Sequence, residues 1–155
     1  MHPHAASRAS FEYPHHGLLQ LRDIVQEDEL RHPTTLDANG EPCLIVVKNG
    51  NTTGITFGRA TGIESFVREY DDDDGIRSTS MALAIYPYGH KDGAFSAPGD
   101  SGAVVADANG RIVGILTGGT GKEDCIDVTY AVPYHWVEGR IKEAFPDSYL
   151  YPVVA

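Results

Sequence analysis

The turn sequence Pro98-Gly99-Asp100-Ser101-Gly102 limits the possible folds of this chain more than any other stretch, and it leads directly into the apolar stretch 103–106. Glycines on both sides let the backbone turn tightly and bring its amide groups close to a bound atom. A serine on such a turn presents its hydroxyl outward, and the amides of Gly99 and Ser101 can point together at one oxygen, as in an oxyanion hole. A plain surface turn is the alternative, because all of these residue types favour turns.

The sequence around this turn has the pattern of an all-β chain. Apolar runs and alternation predict strands at residues 43–47, 53–58, 63–70, 76–88, 103–106, 111–116 and 128–132. Asn-Gly pairs at 39–40, 49–50 and 109–110 predict tight turns, and the pair at 49–50 predicts a hairpin. After Pro133, apolar residues recur at helical spacing as far as Phe145. We therefore predict a small antiparallel barrel of about six short strands with a terminal helix.

The length of 155 residues suggests one folded domain, preceded by a segment of different character. We assign residues 1–41 to an N-terminal arm and linker and residues 42–155 to the barrel with its helix. Residues 17–32 have a mixed apolar pattern that suits a short amphipathic helix or an irregular linker packed on the core. Residues 1–16 lack periodicity, and their four histidines are irregularly spaced, without a nearby cysteine or acid cluster. The acidic run 71–74 is predicted to be a solvated loop tip.

Charge and cysteine content narrow the function classes. A net charge of −10 argues against nucleic acid and anionic membranes as partners. No apolar run approaches the roughly 18 residues of a membrane span, and the chain opens without a signal-peptide pattern, which favours a cytoplasmic location. Cys43 and Cys125 are predicted to be buried free thiols, with a single disulfide as the alternative. Neither has metal-site spacing, and no metal or other cofactor is predicted.

Four segments, in the right order, resemble the chymotrypsin-like (trypsin-like) serine peptidases. Residues 48–58 are similar to the early hairpin of the family's second barrel, and residues 99–102 are similar to its nucleophile loop. Residues 114–119 resemble the substrate-binding edge strand, and residues 127–132, followed by a helix with Trp136, resemble the closing strand and helix. The resemblance implies a six-stranded antiparallel Greek-key barrel, the C-terminal barrel of the two that the family has.

The resemblance implies a role for each residue of the nucleophile loop. Ser101 would be the nucleophile that forms an acyl-enzyme in peptide-bond hydrolysis. The backbone amides of Gly99 and Ser101 would form the oxyanion hole. Asp100 would support the loop through an internal ion pair.

The resemblance also implies where a peptide substrate would bind. Thr117, Gly118 and Gly119 would pair with the substrate backbone as an added strand. Phe95, six residues before Ser101, would line the bottom of the specificity pocket. Its apolar ring argues against a preference for Arg or Lys in the substrate.

The histidine and aspartate of a catalytic triad are not identifiable in this sequence. In this family both precede the serine and come from the N-terminal barrel, and no strand-rich segment that could be such a barrel precedes residue 42. Asp23 is a candidate for the triad acid, but its surroundings resemble a linker, and His90 and His135 match no family position. A serine without a base is a poor nucleophile.

These observations leave three hypotheses for function. The first is a serine endopeptidase present as its C-terminal half, weak or inactive alone, with a homodimer or a partner chain covering the face of the missing barrel. The second is a non-catalytic module that binds peptides or proteins and is derived from such a peptidase. The third is an unrelated small barrel that carries the turn motif by chance.

Overall fold

The computed structural model describes residues 19–70, 75–89, 92–122 and 125–150, and for residues 122 and 125–127 it describes the backbone alone. Within these ranges the elements, in chain order, are α1 Glu27–Arg31, β1 Leu44–Gly50, β2 Gly54–Tyr70, β3 Ile76–Pro87, β4 Val104–Asp107, β5 Ile112–Lys122, β6 Cys125–Pro133 and α2 Tyr134–Ala144. The predicted arm 1–16 with its histidines, the acidic run 71–74 and His90 lie outside the described residues.

The six strands close into an antiparallel barrel in the order β1-β2-β3-β6-β5-β4. Strands β1 to β3 pair in sequence, and so do strands β4 to β6. The long connection after β3 returns the chain to β1, so that β4 pairs with β1 rather than with β3. This is a Greek-key arrangement. The prediction of a six-stranded antiparallel barrel with a terminal helix is confirmed.

Some strands are much longer than the sequence pattern indicated. Strand β2 has 17 residues and β3 has 12. A register shift lies between Ala60 and Glu64. Residues 65–70 of β2 then pair with residues 76–82 of β3 as a two-stranded ribbon, because the pairing of β3 with β6 covers only residues 83–85. The glycine-rich stretch 117–121 continues β5 and pairs with β6. The prediction of short strands was wrong here, because backbone pairing extends a hairpin even where side chains do not alternate.

The Asn49-Gly50 pair lies in strand β1 rather than in the turn of the β1–β2 hairpin. Gly50 pairs with Gly54, which leaves residues 51–53 as the turn. A Cβ atom on residue 50 would lie 2.4 Å from the Oδ1 atom of Asp100. The predicted hairpin therefore exists, but the glycine serves a close approach between two segments and not the turn itself.

Two turns share the sequence Asp-Ala-Asn-Gly, at residues 37–40 and 107–110. In each turn the aspartate Oδ1 atom accepts hydrogen bonds of 2.8–3.0 Å from the backbone amides of the residues two and four positions later. The glycine has a positive φ and donates its amide to the aspartate carbonyl at 3.1 Å. The second aspartate oxygen pairs with an arginine, Arg59 in the first turn and Arg111 in the second. These two Asn-Gly turns are where the sequence predicted them.

The segment before the barrel packs on it and supplies core side chains. Val25 and Leu30 are 0% and 4% exposed and belong to the main apolar cluster. The Val25 amide donates to the Ile112 carbonyl at 2.9 Å, and Arg111 forms an ion pair with Glu29 of α1. Helix α1 has only five residues, too few to be stable alone, so these contacts hold it. The assignment of residues 1–41 as a separate arm and linker stays a prediction.

The two cysteines were predicted to be buried thiols. Cys43 is buried and free of a disulfide. Burial raises the pKa of its thiol, with the nearby Asp37 carboxylate acting in the same direction. Such a thiol stays protonated and inert at neutral pH. The prediction is confirmed for Cys43, whereas the side chain of Cys125 lies outside the described part of the structure.

Helix α2 begins and ends within a residue of its predicted bounds. It has no fully buried residue, and Trp136 and Ile141, together with Phe145 just beyond its end, are 58%, 38% and 68% exposed. The helix therefore presents large apolar side chains that the described parts of the chain leave uncovered. Among the described residues, neither helix has the length and apolar character to cross a membrane.

Candidate active site

Two consecutive tight turns shape the loop that carries Ser101. In residues 97–100, and again in residues 100–103, the amide of the fourth residue donates to the carbonyl of the first at 3.0 Å. The third residue of each turn is a glycine with positive φ, +100° at Gly99 and +87° at Gly102. This is the pattern of type II turns, for which glycine is the residue without steric cost. The sequence around the serine therefore determines the local shape of the loop.

Ser101 is exposed on this loop. Its hydroxyl donates to the carbonyl oxygen of Thr117 on β5 at 3.3 Å, and the next amide, of Gly102, donates to the Leu116 carbonyl at 2.8 Å. Within the residues that the structure describes, the amides of Gly99 and Ser101 donate no hydrogen bond. An exposed hydroxyl beside two unpartnered amides provides the groups that a nucleophile and an oxyanion hole require.

Asp100 lies beneath the serine and is 1% exposed. Its Oδ1 atom accepts the amides of Thr52 at 2.7 Å and Thr53 at 3.2 Å. Its Oδ2 atom accepts the Thr53 hydroxyl at 2.6 Å and the Ala97 amide at 3.1 Å. The ammonium of Lys48 is 3.1 Å from the same oxygen. Asp100 therefore forms an internal ion pair at the centre of a hydrogen-bonded network.

Opposing effects act on the pKa of Asp100. Burial of the carboxylate raises its pKa, but the hydrogen bonds from the Thr53 hydroxyl and from the amides of Thr52, Ala97 and Thr53 lower it. The hydrogen bonds outweigh the burial, so the pKa lies well below its usual range. The carboxylate is therefore charged at neutral pH, as the ion pair with Lys48 requires.

Lys48 is fully buried. Lysines are almost never fully buried unless they are paired with an opposite charge. Besides the carboxylate of Asp100, its ammonium contacts the Thr53 hydroxyl and donates to the Gly54 carbonyl at 3.0 Å. It also lies 5.8 Å from the centre of the Phe95 ring, within the range of a cation–π contact. The buried charge is thus matched by oxygen acceptors on one side and an aromatic face on the other.

Phe95 is buried in the barrel rather than exposed beside the serine. It is 1% exposed and belongs to the main apolar cluster. Its ring lies so close to β2 that a Cβ atom on Gly58 would be 2.7 Å away, and its carbonyl accepts the Thr56 hydroxyl at 2.6 Å. Its assignment to a specificity pocket stays a prediction, and it would require a pocket that reaches into the core.

The proposed substrate-binding residues Thr117, Gly118 and Gly119 lie on an open stretch of β5. Pairing with β4 ends where Ile115 meets Val104, while β6 pairs with β5 on its other side. Beyond Leu116, the β4-facing edge of β5 is therefore not paired with any described strand. The hydrogen bond from Ser101 to the Thr117 carbonyl places this edge beside the serine. An added peptide strand needs such an edge.

The described residues do not bring a catalytic triad together. His32 is exposed after α1, and His135 lies in a cleft beside α1 and β2; neither has a hydrogen bond to Ser101. Asp23 accepts the amide of Ile24 at 2.7 Å, in a segment that pairs with the beginning of β5. Among the described residues, no group of three or more His, Cys, Asp or Glu side chains could hold a metal ion.

Sequence reasoning missed Lys48, Thr52 and Thr53, which surround Asp100. The sequence does contain a signal that Lys48 is buried. Residues 44 and 46 of β1 are apolar, and a strand places every second residue on the same face. That parity directs Lys48 into the core, where a lysine needs a counter-charge. Nothing local indicates the two threonines, since their partner is 48 residues away for Thr52 and 47 for Thr53.

Comparison with known proteins bears on the fold. No protein-family model matches the sequence, and no curated protein matches it. Among solved structures, the chymotrypsin of Cellulomonas bogoriensis is 20% identical over 87% of this chain, with a TM-score of 0.53. The active form of the Rv3671c protease of M. tuberculosis is 17% identical over 91% of this chain, with a TM-score of 0.50. This chain spans 57% and 53% of their respective lengths. This chain therefore has part of the chymotrypsin-like serine protease fold, and that part is consistent with the C-terminal barrel.

Proposed function

We propose that this chain is the nucleophile-bearing half of a serine endopeptidase, with Ser101 as the residue that forms the acyl-enzyme. The observation that carries the proposal is the exposed Ser101 hydroxyl beside the amides of Gly99 and Ser101, which have no hydrogen-bond acceptor in the described parts of the chain. The chymotrypsin-like fold supports the same assignment. The buried ion pair between Asp100 and Lys48 holds the loop in place.

A peptide substrate would bind as a strand along residues 117–119 of β5. Its scissile carbonyl oxygen would accept the amides of Gly99 and Ser101, which stabilise the negative charge of the tetrahedral intermediate. The Ser101 oxygen would form the new carbon–oxygen bond while its proton passes to a base. The C–N bond would then break, and the amine would leave with that proton.

The general base is not among the residues that contact Ser101. Its hydroxyl donates to a backbone carbonyl, which is far too weak a base to accept the proton. An imidazole brought to the loop by a partner chain or by a second copy of the chain would complete the site. We therefore expect the chain alone to hydrolyse peptides weakly or not at all, with residual activity from the oxyanion hole and binding.

A fluorophosphonate probe tests this function, because it forms a covalent bond with an activated serine. The full chain should be labelled at Ser101 slowly compared with an intact two-barrel serine protease, and Ser101→Ala should remove the labelling. Ser148→Ala is a matched control outside the site and should leave it unchanged. Rapid labelling would place a base within this chain, with His90 and the N-terminal histidines the first to test. Labelling that persists in Ser101→Ala would overturn the assignment.

A non-catalytic peptide-binding module is the second candidate, favoured by the open edge of β5 beside the loop. Binding by strand addition needs the backbone of residues 117–119 but not the serine hydroxyl. One comparison of variants distinguishes the peptidase from the peptide-binding module. If Ser101→Ala retains peptide binding in calorimetry and no probe reacts with the natural chain, the module is the better description.

A further inference from the structure

We propose that the β1–β2 turn, residues 51–53, is the positioning element of the nucleophile loop, and that Thr53 is its main residue. The proposal rests on the function proposed for Ser101. It assigns the geometry of the Gly99–Ser101 amides to contacts made inside this one barrel.

Hydrogen bonds join the turn to the residues on both sides of Gly99, Pro98 and Asp100. The turn binds Asp100 through the amides of Thr52 and Thr53, at 2.7 and 3.2 Å, and through the Thr53 hydroxyl, at 2.6 Å. It binds the other half of the loop through the Thr52 hydroxyl, which donates to the Pro98 carbonyl at 2.8 Å. Gly99, which carries one of the two proposed oxyanion amides, lies between these attachment points.

Close packing fixes the distance between the turn and the loop. A Cβ atom on Gly50, just before the turn, would lie 2.4 Å from the Oδ1 atom of Asp100. A Cβ atom on Gly99 would lie 2.4 Å from the hydroxyl oxygen of Thr52. At such distances something must shift, so a side chain at position 50 would displace the Asp100 carboxylate and one at position 99 would displace the Thr52 hydroxyl. The two segments interlock, and a shift of one moves the other.

The Thr53 hydroxyl connects the buried charges of the network. It donates to the Oδ2 atom of Asp100 and is itself contacted by the ammonium of Lys48. Valine has the same shape but can neither donate nor accept, so it would leave a buried carboxylate oxygen with one donor fewer. Serine keeps the hydroxyl and removes only a methyl group.

Amide hydrogen exchange in the full chain, followed by NMR, tests the proposal without requiring catalysis. The reporters are the hydrogen-bonded amides of Asp100, Gly102 and Ala103, and residues 83–85 of the β3–β6 pairing report on the stability of the barrel. In Thr53→Val the loop amides should exchange about tenfold faster relative to the barrel amides, since one buried hydrogen bond is lost. Thr53→Ser should restore the natural ratio.

Two further variants complete the design. Thr61→Val is a matched control, because the buried Thr61 hydroxyl has no hydrogen-bond partner among the described residues, and it should leave the ratio unchanged. Thr52→Val loses only the bond to Pro98, at an exposed position, and should raise loop exchange even if Thr53→Val does not fold. Loop exchange that rises no more than barrel exchange in Thr52→Val and Thr53→Val, or a Thr53→Ser variant that behaves like Thr53→Val, would overturn the proposal.

Probe labelling distinguishes this proposal from the proposed function. If the natural chain remains unlabelled with every partner tested, the peptidase function fails while the exchange result still decides the role of the turn. Both proposals are supported if the natural chain is labelled and Thr53→Val both slows labelling and makes the loop amides exchange faster relative to the barrel amides. Equal labelling rates in these two proteins would overturn the positioning role.

Discussion

At Asp100, burial and hydrogen bonding act in opposite directions on one carboxyl group. Both side chains of the Lys48–Asp100 pair are fully buried, and removing one partner of such a pair leaves an unmatched charge in the core. The four hydrogen bonds to the carboxylate make the charged form the favoured one. The free energy of unfolding therefore depends on pH through this residue.

The pH dependence gives a prediction with a definite sign. Because the pKa of Asp100 is lower in the folded state, the carboxylate stabilises the fold above about pH 4, the range of an unfolded aspartate. That contribution is lost as pH falls toward the folded-state pKa. Asp100→Asn should lower the free energy of unfolding by about 3–5 kcal/mol at pH 7, and the difference should shrink below about pH 4. Urea unfolding at several pH values measures it.

The control for this experiment is an exposed aspartate. Asp147 lies after α2 and is exposed, so Asp147→Asn should change stability by less than about 0.5 kcal/mol at neutral pH. Glu29 and Asp37 also have lowered pKa values, from the Arg111 side chain and the Glu41 amide respectively. Their acid sensitivity remains in Asp100→Asn. A difference between natural protein and variant that stays constant from pH 7 to pH 2 would contradict the prediction.

Helix α1 meets the barrel at the register shift in β2. Gly62 lies within the shift and has a φ of +80°. A Cβ atom there would lie 2.5 Å from the Arg31 carbonyl oxygen. The Arg31 side chain also pairs with Glu64, 3.2 Å away, on the far side of the shift. The irregularity in β2 is therefore a docking point for α1.

Substitution of Gly62 should lower the free energy of unfolding by more than its positive φ alone explains. Gly40 has a similar φ, +82°, and a Cβ atom added there would have open space within 4 Å, so Gly40→Ala should lose about 1–2 kcal/mol of stability, the cost of the left-handed angle. Gly62→Ala carries the same cost and adds the clash with the backbone of α1. It should lose at least about 1 kcal/mol more. Chemical denaturation measures both, and equal losses would contradict the role assigned to α1 docking.

The chain as a whole combines a strong negative charge with large apolar side chains that the described residues leave exposed. The net charge is −10, and large apolar residues more than half exposed include Ile55, Ile63, Phe66, Tyr70, Ile76, Trp136, Phe145 and Tyr149. Exposed apolar surface of this kind favours association when it is contiguous, whereas like charge opposes it. The packed segment around Val25 and Leu30 covers another part of the barrel.

We predict that self-association, where it occurs, strengthens with salt. Salt screens the repulsion between two copies of the negative chain, with a screening length of about 10 Å at 0.1 M and about 3 Å at 1 M. Light scattering over a series of protein and salt concentrations should show the average mass rising with ionic strength. Trp136→Ser, on the exposed face of α2, should reduce that rise, whereas Asp147→Asn should not. A strictly monomeric chain at every salt concentration would exclude a homodimer and leave a different partner chain as the proposed cover.

Most of the local structure is predictable from residues that are close together in the chain. Two Asn-Gly pairs, at 39–40 and 109–110, form the turns they predict, and the glycines beside Ser101 take the positive φ angles of a tight loop. Strand alternation and the helical spacing after Pro133 indicated the barrel and its helix. These features are predictable because turn chemistry and periodicity involve residues close together in the chain.

The contacts that support the candidate site join residues far apart in the chain and could not be predicted from local sequence. Gly50 serves the approach of Asp100 rather than a turn, and Phe95 lies in the core rather than on an exposed surface. The partners of Asp100 in the β1–β2 turn are 47 and 48 residues away in sequence. Such contacts exist only after β4 pairs with β1 and closes the barrel. Closure depends on the combined pairing and burial of all six strands, so no single stretch of sequence contains the information.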